Sequence, residues 1–180
     1  QVQVRRAVLT ARGGDASARW FPYRLVNLGG SVEFTPDGVW IRRICGEHEG
    51  GAVCVDGHLE HPDRLAAAEL RIAATDVPID DDLLSPLEDR YRKVVDPLDP
   101  SGRVDAKVRL TRAASDTNLP ARWTLSSEVH LNDVTARYAE FPIPIEHLNG
   151  LITATHDSVE VGELRGTAGG AALTLSGSIS

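Results

Sequence analysis

Residues 21–60 read FPYRLVNLGGSVEFTPDGVWIRRICGEHEGGAVCVDGHLE, and residues 141–180 read FPIPIEHLNGLITATHDSVEVGELRGTAGGAALTLSGSIS. Superposed by a shift of 120 without a gap, they agree at eleven of 40 positions. Unrelated segments of ordinary composition share roughly 3. The identities include Phe21/Phe141, Pro22/Pro142, Leu28/Leu148, Gly30/Gly150, Gly46/Gly166, Gly50/Gly170 and Gly57/Gly177. Val32/Ile152, Ile41/Val161, Val53/Leu173 and Val55/Leu175 keep apolar character. Two copies of one supersecondary unit account for this pattern. The expected organisation is the end of a preceding repeat at 1–20, one full repeat at 21–140, and the start of the next at 141–180. Methionine is absent and Gln1 opens inside an apparent strand, so the chain reads as a piece of a longer one.

Working outward from the repeat, apolar and polar residues alternate with period 2 in segment after segment. Val26, Leu28, Val32 and Phe34 recur on one side of the first, and Val53, Val55 and Leu59 on one side of the second. Leu70 and Ile72 follow, then Val104, Val108 and Leu110, then Trp123, Leu125, Val129 and Leu131. Leu148 with Ile152, and Leu173 with Leu175, complete the series. One apolar and one wet face per strand is the mark of antiparallel sheet. Gly, Asp and Pro punctuation at Pro36-Asp37-Gly38, Glu49-Gly50-Gly51 and Gly169-Gly170 suits hairpins between neighbours. The fold class expected is mainly β: an antiparallel meander of about ten strands forming a curved open sheet.

One stretch has a different period. Asp80, Asp81 and Asp82 suit a helix N-terminus, as caps and as partners of its dipole. Leu83, Leu84, Leu87, Tyr91, Val94, Val95 and Leu98 then recur at helical spacing. A single amphipathic helix is expected near 80–97, lying on an apolar edge of the sheet.

A two-residue turn at Glu49-Gly50 pairs residues whose numbers sum to 99. Arg43 then faces Asp56, Ile44 faces Val55, Trp40 faces Leu59 and Cys45 faces Cys54. These are the only two cysteines. Two readings stay open for them: small side chains on a strand surface, or a cross-strand disulfide in an oxidising compartment.

Charge and motif content narrow the function. Nineteen basic residues against 26 acidic give a net charge of −7, which disfavours a nucleic-acid partner. His58 and His61 have a tolerable ligand spacing, but no second Cys/His pair follows, so they read as solvated edge histidines; His48, His130, His147 and His156 are scattered, without a nucleophile motif. Helix capping explains Asp80–Asp82 better than a metal site does. Gly166 to Gly170 lack the strand–loop–helix setting of a phosphate cradle. No enzyme, metal or cofactor is expected.

The repeated motif carries a resemblance. Phe141-Pro142-Ile143-Pro144, Leu148-x-Gly150, Gly166-x-x-Gly169-Gly170 and Leu175-x-Gly177-x-Ile179 resemble the repeating segment of AsmA-like and TamB-like envelope proteins. The stretch from Leu70 to Leu84 leading into Pro100-Ser101-Gly102-Arg103-Val104 does so too. That resemblance implies a bridge-like lipid transfer protein, with a rolled sheet (β-gutter or β-taco) whose apolar face shields acyl chains. It further implies the periplasm or cell envelope of a diderm bacterium, an inner-membrane anchor, and membrane contact through parts outside this segment. The partners implied are phospholipid acyl chains and neighbouring repeats. The expected lining is the set of alternating apolar residues named above. An envelope scaffold without lipid is the alternative, and a glycan-binding protein a weaker third: Trp20, Trp40 and Trp123 make a poor aromatic platform.

Overall fold

Alternation and glycine turns resolve into eleven strands among the described residues, about 71% of them. The computed structural model describes residues 5–19, 21–60, 66–114, 122–138, 140 and 143–179. The strands are β1 (Ala7–Arg12), β2 (Asp15–Ala18), β3 (Phe21–Thr35), β4 (Gly38–His48), β5 (Gly51–Glu60) and β6 (Ala68–Pro78). After a helical insertion come β7 (Ser101–Arg112), β8 (Trp123–Ala136), β9 (Ile145–Thr155), β10 (Val159–Ala168) and β11 (Ala171–Ile179). All pair antiparallel in the order β1-β3-β4-β5-β6-β7-β8-β9-β10-β11, with β2 beside β3. The path is an open, curved meander.

The two copies share more than sequence. β3, β4 and β5 correspond to β9, β10 and β11, and the shift of 120 extends back to β1 and β8. Ala7, Leu9 and Ala11 pair with Phe34, Val32 and Gly30; Ser127, Val129 and Leu131 pair with Ala154, Ile152 and Gly150. Each β4-type strand also breaks register at the same place, between Ile41 and Ile44 and between Val161 and Leu164. The turn residues Glu49-Gly50 and Gly169-Gly170 all have positive φ, as a type I′ hairpin requires. The likeness at Phe141 and Pro142, and the positions of Trp20 and His61, lie outside the described residues.

Three expectations need correction. The single helix near 80–97 is two short ones, α1 (Asp81–Leu84) and α2 (Asp89–Val95), followed by a 3-10 turn at Asp96–Leu98. Pro86 separates them, since it has no N–H to return to the preceding turn. In the β4–β5 hairpin the sum of 99 holds from Ile44↔Val55 to His48↔Gly51. Beyond the bulge it falls to 98, so Trp40 faces His58 rather than Leu59, and Arg43, at φ 46°, is the bulged residue instead of the partner of Asp56. Val26 is the third. Asn27 takes φ 54° and inserts a bulge, so Val26 pairs with Glu47 and Asp15 on the opposite face and Leu25 turns inward.

The core sits where the helical segment meets the sheet. Val104, Val134, Ala136, Leu148 and Leu164 form one buried cluster, with Ile79, Leu83 and Leu98 packed on it. Tyr23, Val53 and Val77 form another, also touched by Leu83. Leu83 therefore joins the two halves of the meander. Val77 and Val134, the most buried side chains, each follow a bulged aspartate, Asp76 at φ 51° and Asp133 at φ 58°.

Candidate functional site

Strand registers place apolar residues in rungs running across the sheet on the face that carries α1 and α2. One rung passes through Leu9, Val32, Ile41, Gly57, Leu70, Leu110 and Leu125. The next passes through Ile44, Val55, Ile72, Val108, Ser127, Ala154, Val159 and Ile179. A third passes through Gly46, Val53, Ala74, Ala106, Val129, Ile152, Val161 and Gly177. Eight strands at about 4.8 Å spacing make such a rung about 34 Å long.

Of the expected lining, Val26 alone lies on the other face. Leu28, Val32, Phe34, Val55, Leu59, Leu70, Ile72, Val108, Leu110, Trp123, Leu125, Val129, Leu131 and Ile152 lie on the helix-bearing face, as do Leu173 and Leu175. Val53, Val104 and Leu148 share that face but are buried in the protein's own core. Away from the helical segment the face is open: Phe34 is 45% exposed, Trp123 37% and Ile179 48%. Alternation alone misses Leu25, Val77, Val134 and Leu164, because a bulge interrupts the count just before or after each. Asn or Asp before an apolar residue was the available signal, since both tolerate the left-handed region.

The opposite face is charged. Arg6 and Arg42 both pair with Glu33, and Arg71 and Arg109 both pair with Glu69. Hydrogen bonds from Arg6 and Arg71 are the main cause holding these two carboxyls below the usual range. Trp40 stacks on His58 at 5.0 Å, with the Arg42 guanidinium 5.2 Å from the Trp40 ring. On this face Cys45 and Cys54 are directly opposed, Cα to Cα 4.0 Å, and joined in a disulfide.

Polar groups fasten the helical segment. Asp80 caps α1 by accepting from the Leu83 N–H at 2.8 Å, and its other oxygen lies 3.3 Å from His48 Nε2. His48 is buried and donates from Nδ1 to the Arg24 carbonyl at 2.8 Å; a carbonyl can only accept, which fixes that hydrogen. Its ring lies 4.1 Å from that of Tyr23. Burial, with Asp80 and Asp82 nearby, pushes the Tyr23 phenol well up, and among the described residues its oxygen has no hydrogen-bond partner. At the far end Tyr91 donates to the Thr155 carbonyl at 3.2 Å, and Arg90 donates to that of His156. The segment thus spans the face from the bulged end to the β9–β10 turn.

Among the described residues no group of three or more His, Cys, Asp or Glu is placed to hold a metal, and no helix is long and apolar enough to cross a membrane. No family model, curated protein or solved structure matches the chain.

Proposed function

We propose that this chain is a segment of a lipid conduit in the cell envelope, its helix-bearing face shielding acyl chains in transit between membranes or during outer-membrane assembly. One observation carries the reading: apolar rungs cross the sheet from strand to strand, and beyond the helical segment no second layer among the described residues covers them. A fatty-acyl chain spans half of a bilayer core, about 15 Å, so a rung accommodates it with room to spare. Val, Leu, Ile and Ala make the lining aliphatic, and such an exposed strip marks an interaction site. The disulfide supports an oxidising compartment such as the periplasm. In this reading neighbouring repeats continue the sheet, and parts outside the segment provide the inner-membrane anchor and membrane contact.

A second reading, an envelope scaffold without lipid, draws on the other end of the face. There Val77 and Val134 are sealed beneath Ile79, Leu83 and Leu98, as in ordinary protein packing. Native mass spectrometry of the gently purified protein, with a fluorescent acyl probe, separates the two. Co-purifying phospholipid and probe displaced by added lipid are expected for the conduit. A bare mass and an unbound probe would leave the scaffold.

A further inference from the structure

Where α2 reaches the β9–β10 turn, donors outnumber acceptors. Arg90 Nη2 approaches His156 Nδ1 at 3.2 Å, and Arg122 Nη2 meets His156 Nε2 from the other side. A guanidinium only donates, and a neutral imidazole offers one acceptor nitrogen, a cationic one none. At least one ring nitrogen therefore faces a donor when it carries a hydrogen of its own. Among the described residues Arg90 Nε is buried without a hydrogen-bond partner: Glu88 lies 3.0 Å away as an ion pair but out of hydrogen-bond alignment. Asp157, the adjacent exposed carboxylate, pairs with neither arginine among the described residues. Among the described residues Arg90 Nε is thus a buried donor left over, and such a donor calls for an acceptor.

We infer that Arg90, Arg122 and His156 form a binding site for a phosphate ester. The two guanidiniums flank one imidazole at its two ring nitrogens, and planar forks of donors match phosphate oxygens. The site stands at the rim of the apolar face, beside the rung through Ala154 and Val159. Aromatic and basic residues share this end, with Arg90 4.6 Å from the Tyr91 ring and Arg112 5.1 Å from that of Trp123. The inference rests on hydrogen-bond geometry and holds whether or not the face carries acyl chains. The phosphate can belong to a lipid headgroup or to a free phosphate ester.

The test is NMR of the isotope-labelled chain, following the His156 imidazole. Inorganic phosphate is titrated in one arm, dihexanoylphosphatidylglycerol below micelle formation in a second, and phosphate-free dihexanoylglycerol in a third. Arg122→Gln is the diagnostic variant, because Arg122 is exposed and its loss leaves the core intact. Saturable shifts with phosphate and with the phospholipid are expected, each weakened roughly tenfold by the substitution, as for loss of a charged hydrogen bond. Phosphate binding alone identifies a free ester as the source; tighter, Arg122-dependent phospholipid binding identifies a headgroup. Phospholipid or dihexanoylglycerol binding that ignores Arg122→Gln and leaves His156 unmoved would overturn this site while leaving the acyl-chain reading in place. No His156 response to phosphate or to phospholipid would overturn it outright.

Discussion

Asn27 and His147, 120 residues apart, hold the same left-handed backbone, φ 54° and φ 56°, each immediately before a leucine that turns inward. Three residues further on, Gly30 and Gly150 meet the next strand's bulge. A Cβ on Gly30 would lie 2.4 Å from the Arg43 carbonyl oxygen, and one on Gly150 would lie 2.8 Å from that of Glu163. Arg43 and Glu163 are themselves 120 apart. The repeat therefore preserves a backbone device, a bulge seated on a glycine, even where the side chains at the bulge have changed from cation to anion.

Gly30→Ala and Gly150→Ala should accordingly destabilise by similar amounts, at least about 1–3 kcal/mol each from overpacking against backbone that cannot step aside. Gly177→Ala, with nothing within 4 Å of its Cβ position, should be close to neutral. Chemical denaturation of the three variants checks this. A silent Gly150→Ala beside a damaging Gly30→Ala would show that the two copies are not held by the same contact.

The Cys45–Cys54 bridge closes a loop with a sequence separation of 9. In the chain-entropy account so short a loop contributes about 2–3 kcal/mol. Reduction, or replacement of both cysteines by serine, should lower the unfolding free energy by that amount without altering lipid binding, since the bridge lies on the charged face. Lost binding with folding intact would place the bridge in the functional face.

The meander, its facing pattern and the hairpin register at the cysteines were legible because period-2 alternation survives between bulges. What was not legible has distinct physical causes. Val26, Trp40 and Arg43 were misplaced where a non-glycine residue takes a left-handed conformation, which composition hints at for Asn27 but not for Arg43. Pro86 announced the break between α1 and α2, but the apolar spacing on either side of it suggested continuity. The His48–Asp80 contact joins β4 to the helical segment, and the convergence of Arg90 and Arg122 on His156 joins three elements. Neither is a spacing in the chain.

Charge placed on a rung should act differently from charge placed behind it. Val55→Glu or Val108→Glu sets a carboxylate among Ile72 and its neighbours with no partner, costing several kcal/mol if buried under an acyl chain. Both should abolish acyl-probe binding. Ser31→Glu on the opposite face should leave it unchanged. Lys107→Gln is a better second control than a charge reversal, because Lys107 directly opposes Glu128. Equal losses in both sets, with the fold verified by circular dichroism, would contradict the lipid assignment.

His48 and Asp80 together tie α1 to the strands. Asp80→Ala removes the cap and the histidine's partner at once and should cost about 1–2 kcal/mol. His48→Leu retains the cap but strands the Arg24 carbonyl, with a cost of about 1–3 kcal/mol. The double variant should fall short of the sum, because the two share one contact. Additive costs in a double-mutant cycle would show that the 3.3 Å contact carries no energy.

Acid should loosen the charged face through Asp105. Its carboxylate accepts from the Asp76 backbone N–H at 2.7 Å and from Asn132 Nδ2 at 3.1 Å, and these bonds, the backbone one foremost, hold its carboxyl below the usual range. A depressed folded value means that the folded state binds its proton later than the unfolded chain does. The resulting stability is present at neutral pH and is lost as the pH falls below about 4, through the folded value. Asp105→Asn keeps an acceptor for the Asp76 N–H but loses the charge. The variant should therefore melt lower than the parent at pH 7, and the two should converge in acid. Glu33 and Glu69, depressed by their arginines, add acid sensitivity of the same sign to both proteins and so leave the difference intact. His147 runs the other way: its hydrogen bond to Asp133 raises it, so its contribution is full in acid and disappears as the pH rises through its folded value. Melting temperatures of parent and variant across that range decide the matter, and a gap that stays constant from neutral pH into acid would remove Asp105 from the account.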